Sequence, residues 1–121
     1  MARVLVVDDD PDILSLVQIQ LRQAGHITRG ASSGPEALAA VDAEGAPDVA
    51  ILDVRMPGMN GYELLRELRT RGFSHLPVIF LSARAEHEDI ADGGTVPDAY
   101  LTKPYASSDL LSEIKRVLLR Q

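Results

Sequence analysis

Four short apolar runs in this chain each end at a polar residue, and this pattern limits the folds that the chain can adopt. Longer segments of helical period separate the runs, as expected of parallel strands joined by helices. The runs are residues 4–7 before Asp8 and Asp9, 49–52 before Asp53, 78–81 before Ser82, and 99–102 before Lys103. Open α/β folds bind ligands where the carboxyl ends of such strands meet. The sequence therefore predicts one pocket that contains three acids, a hydroxyl and an amine.

The size and composition of the chain favour a single globular domain over residues 1–121. Hydrophobic residues make up 45% of the chain and charged residues 25%, which is typical of a protein that folds around its own core. The chain contains no cysteine, so disulfides, thiolate metal sites and cysteine nucleophiles are excluded. The net charge of −6 and the lack of a basic stripe argue against direct binding of nucleic acid.

The sequence also gives no sign of membrane insertion or secretion. No apolar stretch approaches the roughly 20 residues that are needed to cross a bilayer. Met1-Ala2-Arg3 leads directly into a strand pattern, without the hydrophobic segment of a signal peptide. We therefore expect a cytoplasmic protein.

Local signals predict where the helices begin and mark one irregular segment. Asp10 precedes Pro11 in the manner of a helix cap, and Ser33-Gly34-Pro35-Glu36 predicts a capping box. Residues 86–92 are long enough for about two helical turns. The run Gly93-Gly94-Thr95-Val96-Pro97 that follows is unfavourable for helix. We expect a short or irregular helix between the fourth and fifth strands.

The three acids of the predicted pocket indicate a bound cation. Asp8, Asp9 and Asp53 cannot all stay ionised within a few ångströms of one another at low cost unless a cation joins them. Oxygen ligands without histidine or thiolate select a hard ion, and Mg²⁺ typically takes one or two carboxylates together with waters and a phosphate oxygen. The pattern therefore predicts Mg²⁺.

The same residue types suit phosphoryl transfer to a carboxylate. Asp53 stands alone after the central strand and is the natural nucleophile, whereas Asp8 and Asp9 lie side by side. The ammonium group of Lys103 can neutralise the equatorial phosphoryl oxygens, and the hydroxyl of Ser82 can donate to one of them. The predicted product is an aspartyl phosphate.

Four motifs together resemble the receiver domain of two-component response regulators, a family that includes chemotaxis regulators. They are residues 6–11, 52–61, 79–84 and 100–105, which occur in family order and cover essentially the whole chain. The resemblance implies a flavodoxin-like, doubly wound α/β fold. Its five-stranded parallel sheet would have the order 2-1-3-4-5 and would be covered by five helices.

The resemblance also implies how the pocket works. Asp53 would accept phosphate from a histidine kinase, a phosphotransfer protein or a small phosphodonor. Mg²⁺ would be held by Asp9, Asp53 and the backbone carbonyl of Arg55, with Asp8 mainly in the outer sphere. Lys103 would pair with the phosphoryl group.

Family likeness further implies a conformational switch. Ser82 and Tyr100 match a pair in which the hydroxyl moves toward the phosphate and the aromatic ring turns inward. The Lys103-Pro104 bond is expected to be cis. The chain would be a phosphoacceptor and not an enzyme, and its downstream protein partner and a homodimeric state stay open.

Two other functions compete with this interpretation. Haloacid-dehalogenase-like phosphatases also place a post-strand Asp, a hydroxyl and a Lys around Mg²⁺, but Asp12 stands where they usually carry Thr or Val. A receiver-like binding module that works without phosphate is the second alternative. Nucleotide binding is disfavoured because the chain contains no G-x-x-x-x-G-K-[ST] loop.

Overall fold

The computed structural model describes residues 2–82 and 97–119. Within these residues it contains five strands and four helices. The strands are β1 (Arg3–Val7), β2 (Ile27–Ala31), β3 (Val49–Asp53), β4 (Val78–Ser82) and β5 (Ala99–Thr102). The helices are α1 (Pro11–Gln23), α2 (Gly34–Glu44), α3 (Gly61–Thr70) and α4 (Ser107–Leu119).

All five strands form one parallel sheet in the order β2-β1-β3-β4-β5. The predicted fold class and strand order are confirmed. The second strand, Ile27–Ala31, lies at one edge of the sheet. The helix predicted at residues 86–92 lies outside the described residues. None of the helices described is long and apolar enough to cross a membrane.

The sheet separates two hydrophobic cores. Helices α2 and α3 cover one face, where Leu38, Leu64 and Phe80 of β4 belong to one buried cluster. Helices α1 and α4 cover the other face, where Leu21 and Ile114 pack against strand residues. Every residue of the central strands β3 and β4 is buried, as is typical of strands covered on both faces. Each fully buried leucine contributes roughly 2 kcal/mol to folding, so the two cores stabilise the sheet that carries the residues at its edge.

The helix starts confirm one predicted cap and correct another. The Asp10 side chain accepts hydrogen bonds from the backbone N–H groups of Asp12 and Ile13, as a cap of α1 should. At α2, Ser33 accepts from the Glu36 N–H, but the Glu36 carboxylate accepts from Ser32 instead of Ser33. The capping-box prediction is therefore wrong in its reciprocal half, because the Ser32 hydroxyl and N–H together compete for that carboxylate.

A complete capping box occurs at the start of α3. The Asn60 side chain accepts from the Glu63 N–H at 2.9 Å, and the Glu63 side chain accepts from the Asn60 N–H at 3.0 Å. Both donors would otherwise lack partners at the first turn of the helix. The box anchors the start of α3 at the end of the loop that follows Asp53.

Candidate functional site

The candidate site lies at the carboxyl edge of the sheet, defined here by Asp8, Asp9, Asp53, Ser82 and Lys103. β1 leads into Asp8 and Asp9, while β3 ends at Asp53. Ligand oxygens of these three acids lie within 4.8 Å of one another. Asp8 and Asp53 are 1% and 5% exposed, whereas Asp9 is open to solvent. The structure thus brings together the three acids that the sequence analysis assigned to one pocket.

Lys103 supplies the cation that faces these acids. Its Nζ lies 3.0 Å from Asp53 Oδ1, within hydrogen-bond distance, and 3.8 Å from Asp8 Oδ2. The backbone N–H of Lys103 donates to the carbonyl of Ser82 at 2.8 Å, which fixes the residue beside the end of β4. The Lys103-Pro104 bond is cis, as expected. The end of the sheet therefore sets the position of the Lys103 backbone.

Burial makes ionisation of the two inner acids unfavourable. Loss of solvent raises the pKa of Asp53 to about 6, because the hydrogen bond from Lys103 only partly offsets burial and Asp8 adds repulsion. Burial likewise raises the pKa of Asp8, although the Asp10 N–H donates to Asp8 Oδ1 at 2.9 Å and Lys103 lies nearby. One lysine is not enough to compensate three carboxylates. The site favours a second, stronger positive charge.

The donor atoms fit Mg²⁺. Asp8, Asp9 and Asp53 offer only carboxylate oxygens, which are the ligands of hard divalent ions. Asp8 Oδ2 is buried and has no hydrogen-bond partner in the described part of the chain, so it is available to a metal-bound water. Arg55 is exposed and lies two residues beyond Asp53. The role predicted for its backbone carbonyl stays a prediction.

Ser82 and Tyr100 occupy neighbouring positions on β4 and β5. Ser82 pairs in register with Thr102 and Phe80 pairs with Tyr100, so Ser82 and Tyr100 are diagonal neighbours on one face of the sheet. Ser82 is 1% exposed, and its Oγ has no hydrogen-bond partner among residues 2–82 and 97–119. A buried hydroxyl that lacks a hydrogen-bond partner within the described residues can donate to an incoming anion.

An aromatic row that the sequence analysis did not predict holds the Tyr100 ring. Phe80 packs edge-on against Tyr62 at a centroid distance of 4.9 Å and against Tyr100 at 5.6 Å. Burial raises the pKa of the Tyr100 hydroxyl, and Tyr62 raises it further. Residue spacing carries no signal for this contact, because Tyr62 belongs to α3 and meets the strands only after folding.

The fold and the site agree with what known proteins show. The family described as "Response regulator receiver domain" matches residues 4–115. The chain is therefore a receiver domain of the two-component response regulators. Receiver domains of this family take phosphate from histidine kinases and bind Mg²⁺ at an acidic pocket. The chain therefore does not belong to the haloacid-dehalogenase-like phosphatases.

Individual relatives support the same assignment. The chain is 41% identical to the transcriptional regulatory protein KdpE of Mycobacterium tuberculosis over 123 aligned positions, a match that covers 99% of this chain and 52% of KdpE. It is 37% identical to the sensory transduction protein RegX3 of the same organism over 121 residues, again 99% and 52% of the two chains. The chain thus spans about half the length of these curated relatives.

A solved structure shows the same architecture. The response regulator receiver domain protein from Clostridium thermocellum superimposes with a TM-score of 0.89 at 30% identity. The match covers 99% of this chain and 96% of that one. The likeness therefore extends over the whole receiver fold and not only over the site.

Proposed function

We propose that this chain is a single receiver domain over residues 1–121 that accepts a phosphoryl group on Asp53 with the help of Mg²⁺. The observation that carries the proposal is the 3.0 Å contact between Lys103 Nζ and Asp53 Oδ1 inside a cluster of three acids. A buried acid that is paired with one lysine and crowded by two further acids suits nucleophilic attack on a phosphoryl donor.

The reaction moves one phosphoryl group from a nitrogen or oxygen atom of the donor to a carboxylate oxygen of Asp53. An Asp53 carboxylate oxygen forms a bond to phosphorus, and the bond from phosphorus to the donor histidine nitrogen, or to the oxygen of a small acyl phosphate, breaks. The electron pair of that bond leaves with the donor. Later attack by water on phosphorus restores the carboxylate and releases phosphate. The protein is a phosphoacceptor in this scheme, and a kinase or phosphotransfer protein supplies the group.

Three side chains prepare Asp53 for this step. Lys103 holds one carboxylate oxygen and meets the phosphoryl charge as it arrives. Asp9 and Asp53 would ligate Mg²⁺ together with the Arg55 carbonyl, while Asp8 would hold a metal-bound water. Bound Mg²⁺ supplies positive charge that makes three ionised acids compatible and neutralises phosphoryl oxygens.

Ser82 and Tyr100 would convert phosphorylation into a change at the surface. The Ser82 hydroxyl is buried, lacks a partner in the described residues, and gains one when a phosphoryl oxygen is present. Movement of Ser82 frees space beside its diagonal neighbour Tyr100, whose ring then shifts against Phe80. Phosphorylation thus biases two arrangements of the same packed row.

The partners follow from this scheme. The donor is a histidine kinase or a phosphotransfer protein, and the output is contact with another protein, which includes a second copy of this chain. The domain itself does not bind nucleic acid, in line with its net charge of −6. A cytoplasmic location is part of the same proposal.

Intact mass measurement after incubation with acetyl phosphate and Mg²⁺ tests the proposal. Wild type should gain one phosphoryl group, and Asp53→Asn should gain none, because the amide is not a nucleophile at this site. Asp48→Asn is the control, since Asp48 lies at the opposite end of the sheet, and it should be modified like wild type. Equal modification of wild type and Asp53→Asn would place the phosphate elsewhere. No gain in any protein would instead favour a module that works without phosphate.

A further inference from the structure

Gly61, the first residue of α3, lies against the backbone that carries Asp53. A Cβ added at Gly61 would stand 2.6 Å from the Asp53 carbonyl oxygen and 3.0 Å from the Val54 Cα. Real Cβ atoms do not come this close to a carbonyl oxygen, and both contacts are with backbone atoms that cannot rotate away. Only a residue without a side chain permits this approach.

The backbone torsion of Gly61 does not itself require glycine. Among the described residues, glycines with positive φ are found at other turns, for example Gly58 and Gly72, and Gly61 is not one of them. Gly61 lies within the helical residues of α3, where alanine is intrinsically favoured over glycine. Close contact with β3 is therefore the reason for glycine here.

The same residue closes the loop after Asp53. The Gly61 N–H donates to the Val54 carbonyl at 2.9 Å, so residues 55–60 form a loop with both ends joined. That loop carries the Arg55 carbonyl. On its other side Val54 donates to the Leu81 carbonyl at 3.2 Å, which ties the end of β3 to β4. Gly61 thus links the Asp53 backbone, the loop and α3 into one unit.

We infer that Gly61 is a positioning residue for the phosphoryl-accepting site, a role that rests on the proposed function. Because Gly61 has no side chain, the start of α3 packs directly against the Asp53 peptide. This contact holds Asp53 and the Arg55 carbonyl at a fixed separation. A methyl group at this position pushes the helix from the strand or turns the Asp53 peptide. Either displacement separates the oxygen atoms that are to share Mg²⁺.

Gly30 provides a matched control for the steric change. A Cβ at Gly30 would lie 2.5 Å from Gln18, a contact as short as the one at Gly61. The atom met there is the amide at the end of a flexible side chain on α1, which can move aside. Gly30 also belongs to the edge strand β2 and does not border the loop. Gly30→Ala therefore adds the same methyl group but should not displace the Asp53 backbone or the start of α3.

The test measures Mg²⁺ affinity by calorimetry and the rate of phosphorylation by acetyl phosphate, at a temperature where each protein is folded by circular dichroism. Gly61→Ala should weaken Mg²⁺ binding at least about tenfold, the size of effect usual for residues that orient metal ligands. Its phosphorylation rate should fall in parallel, and Gly30→Ala should stay within about twofold of wild type. A Gly61→Ala protein with wild-type Mg²⁺ affinity and rate would overturn the inference, whatever its melting temperature.

Hydrogen exchange on the wild type keeps the inference testable if Gly61→Ala does not fold. The Gly61 amide bonds to Val54, and the Gly45 amide bonds to Val41 at a remote helix end. Mg²⁺ should slow exchange at Gly61 more than at Gly45, because the metal holds the loop that Gly61 closes. Equal slowing at both amides would contradict the inference.

Failure of the inference is distinguishable from failure of the proposed function. If wild type neither binds Mg²⁺ nor accepts a phosphoryl group, the proposed function fails and the role of Gly61 falls with it. If wild type does both and Gly61→Ala does the same, only the role of Gly61 is refuted.

Discussion

The two edges of the sheet differ in how their charged side chains are paired. At the amino edge, defined here by Arg3, Asp48, Arg69 and Asp98, charged side chains bond to backbone groups. The Arg3 N–H donates to Asp48 at 2.8 Å, and the Val78 N–H donates to Asp98 at 2.7 Å. At the carboxyl edge, three acids face one lysine and the Ser82 hydroxyl has no partner among the described residues. The polar groups of the amino edge are thus paired within the protein, whereas those of the carboxyl edge are available to a ligand.

Arg69 shows how the amino edge converts charge into stability. Its Nη1 donates to the carbonyls of Phe73 and Leu76 at 2.8 and 2.7 Å, and its Nη2 lies 3.8 Å from Asp98. The guanidinium therefore fastens the connection between α3 and β4 and the entry to β5. Hydrogen bonds from a charged donor are worth more than neutral ones.

At the carboxyl edge, charge lowers stability but permits ligand binding. Its buried acids oppose folding until a cation arrives, since an ionised acid with too few partners loses more hydration than it regains. The same shortage of partners is what allows the site to bind Mg²⁺ and a phosphoryl group. The difference shows that stability and reactivity are assigned to opposite ends of the same strands.

The largest expected effect is on phosphorylation and follows from Lys103→Ala. Loss of the ammonium group that contacts Asp53 removes a preorganised positive charge, so the rate with acetyl phosphate should fall about 100-fold or more. Lys115→Ala, which changes the other lysine of the chain on the exposed side of α4, should leave the rate unchanged. A Lys103→Ala rate within threefold of wild type, measured by intact mass over time, would remove Lys103 from the site.

A second effect is the pH dependence of stability without Mg²⁺. The pKa of Asp53 rises from 3.8 to about 6 on folding, so between these values the folded chain binds more protons than the unfolded chain. The contribution of Asp53 to the free energy of unfolding should therefore decrease as pH rises from about 4 to about 6, by up to about 3 kcal/mol, and then level off. Asp8 contributes with the same sign.

Urea denaturation across this pH range measures the effect. Asp53→Asn should show a shallower decrease than wild type because the amide does not titrate, and saturating Mg²⁺ should raise the stability of wild type at pH 7. If the stability of wild type relative to Asp53→Asn does not decrease between pH 4 and 6, burial of Asp53 does not carry the cost described above.

A third, somewhat smaller effect concerns the amino edge. Arg69→Ala leaves two backbone carbonyls and Asp98 without their charged partner, so the free energy of unfolding should fall by about 2 kcal/mol. Arg66→Ala, on the exposed side of the same helix, should change it by less than about 0.5 kcal/mol. Mg²⁺ affinity should be unaffected in both. A weakened Mg²⁺ affinity in Arg69→Ala would show that the two edges are coupled.

The smallest effect is expected at the capping box of α3, which lies next to the carboxyl edge. Asn60→Ala removes the acceptor for the Glu63 N–H and should cost about 1 kcal/mol in thermal or urea unfolding. Glu63→Gln keeps an acceptor for the Asn60 N–H and should cost less. Equal losses in the two variants would mean that the charge of Glu63 matters more than the hydrogen bonds.

Much of this structure was predictable from residue order. The alternation of apolar runs and helical segments predicted a parallel sheet, and the residues after the runs predicted the pocket. The strand order was implied by the family resemblance. The capping box was assigned to Ser33 and Glu36, whereas the complete one is at Asn60 and Glu63. The sequence pattern fits both pairs, and the difference depends on which neighbouring N–H the glutamate side chain can reach.

The sequence by itself determined which chemical groups stand at the strand ends, because parallel strands must place their carboxyl ends together. Only the tertiary structure decided how those groups interact. The 3.0 Å contact of Lys103 with Asp53, the solvent exclusion that raises the Asp53 pKa, and the approach of Gly61 to the Asp53 carbonyl join residues far apart in the chain. Such distances and degrees of burial arise from packing of whole elements, which local residue patterns do not encode.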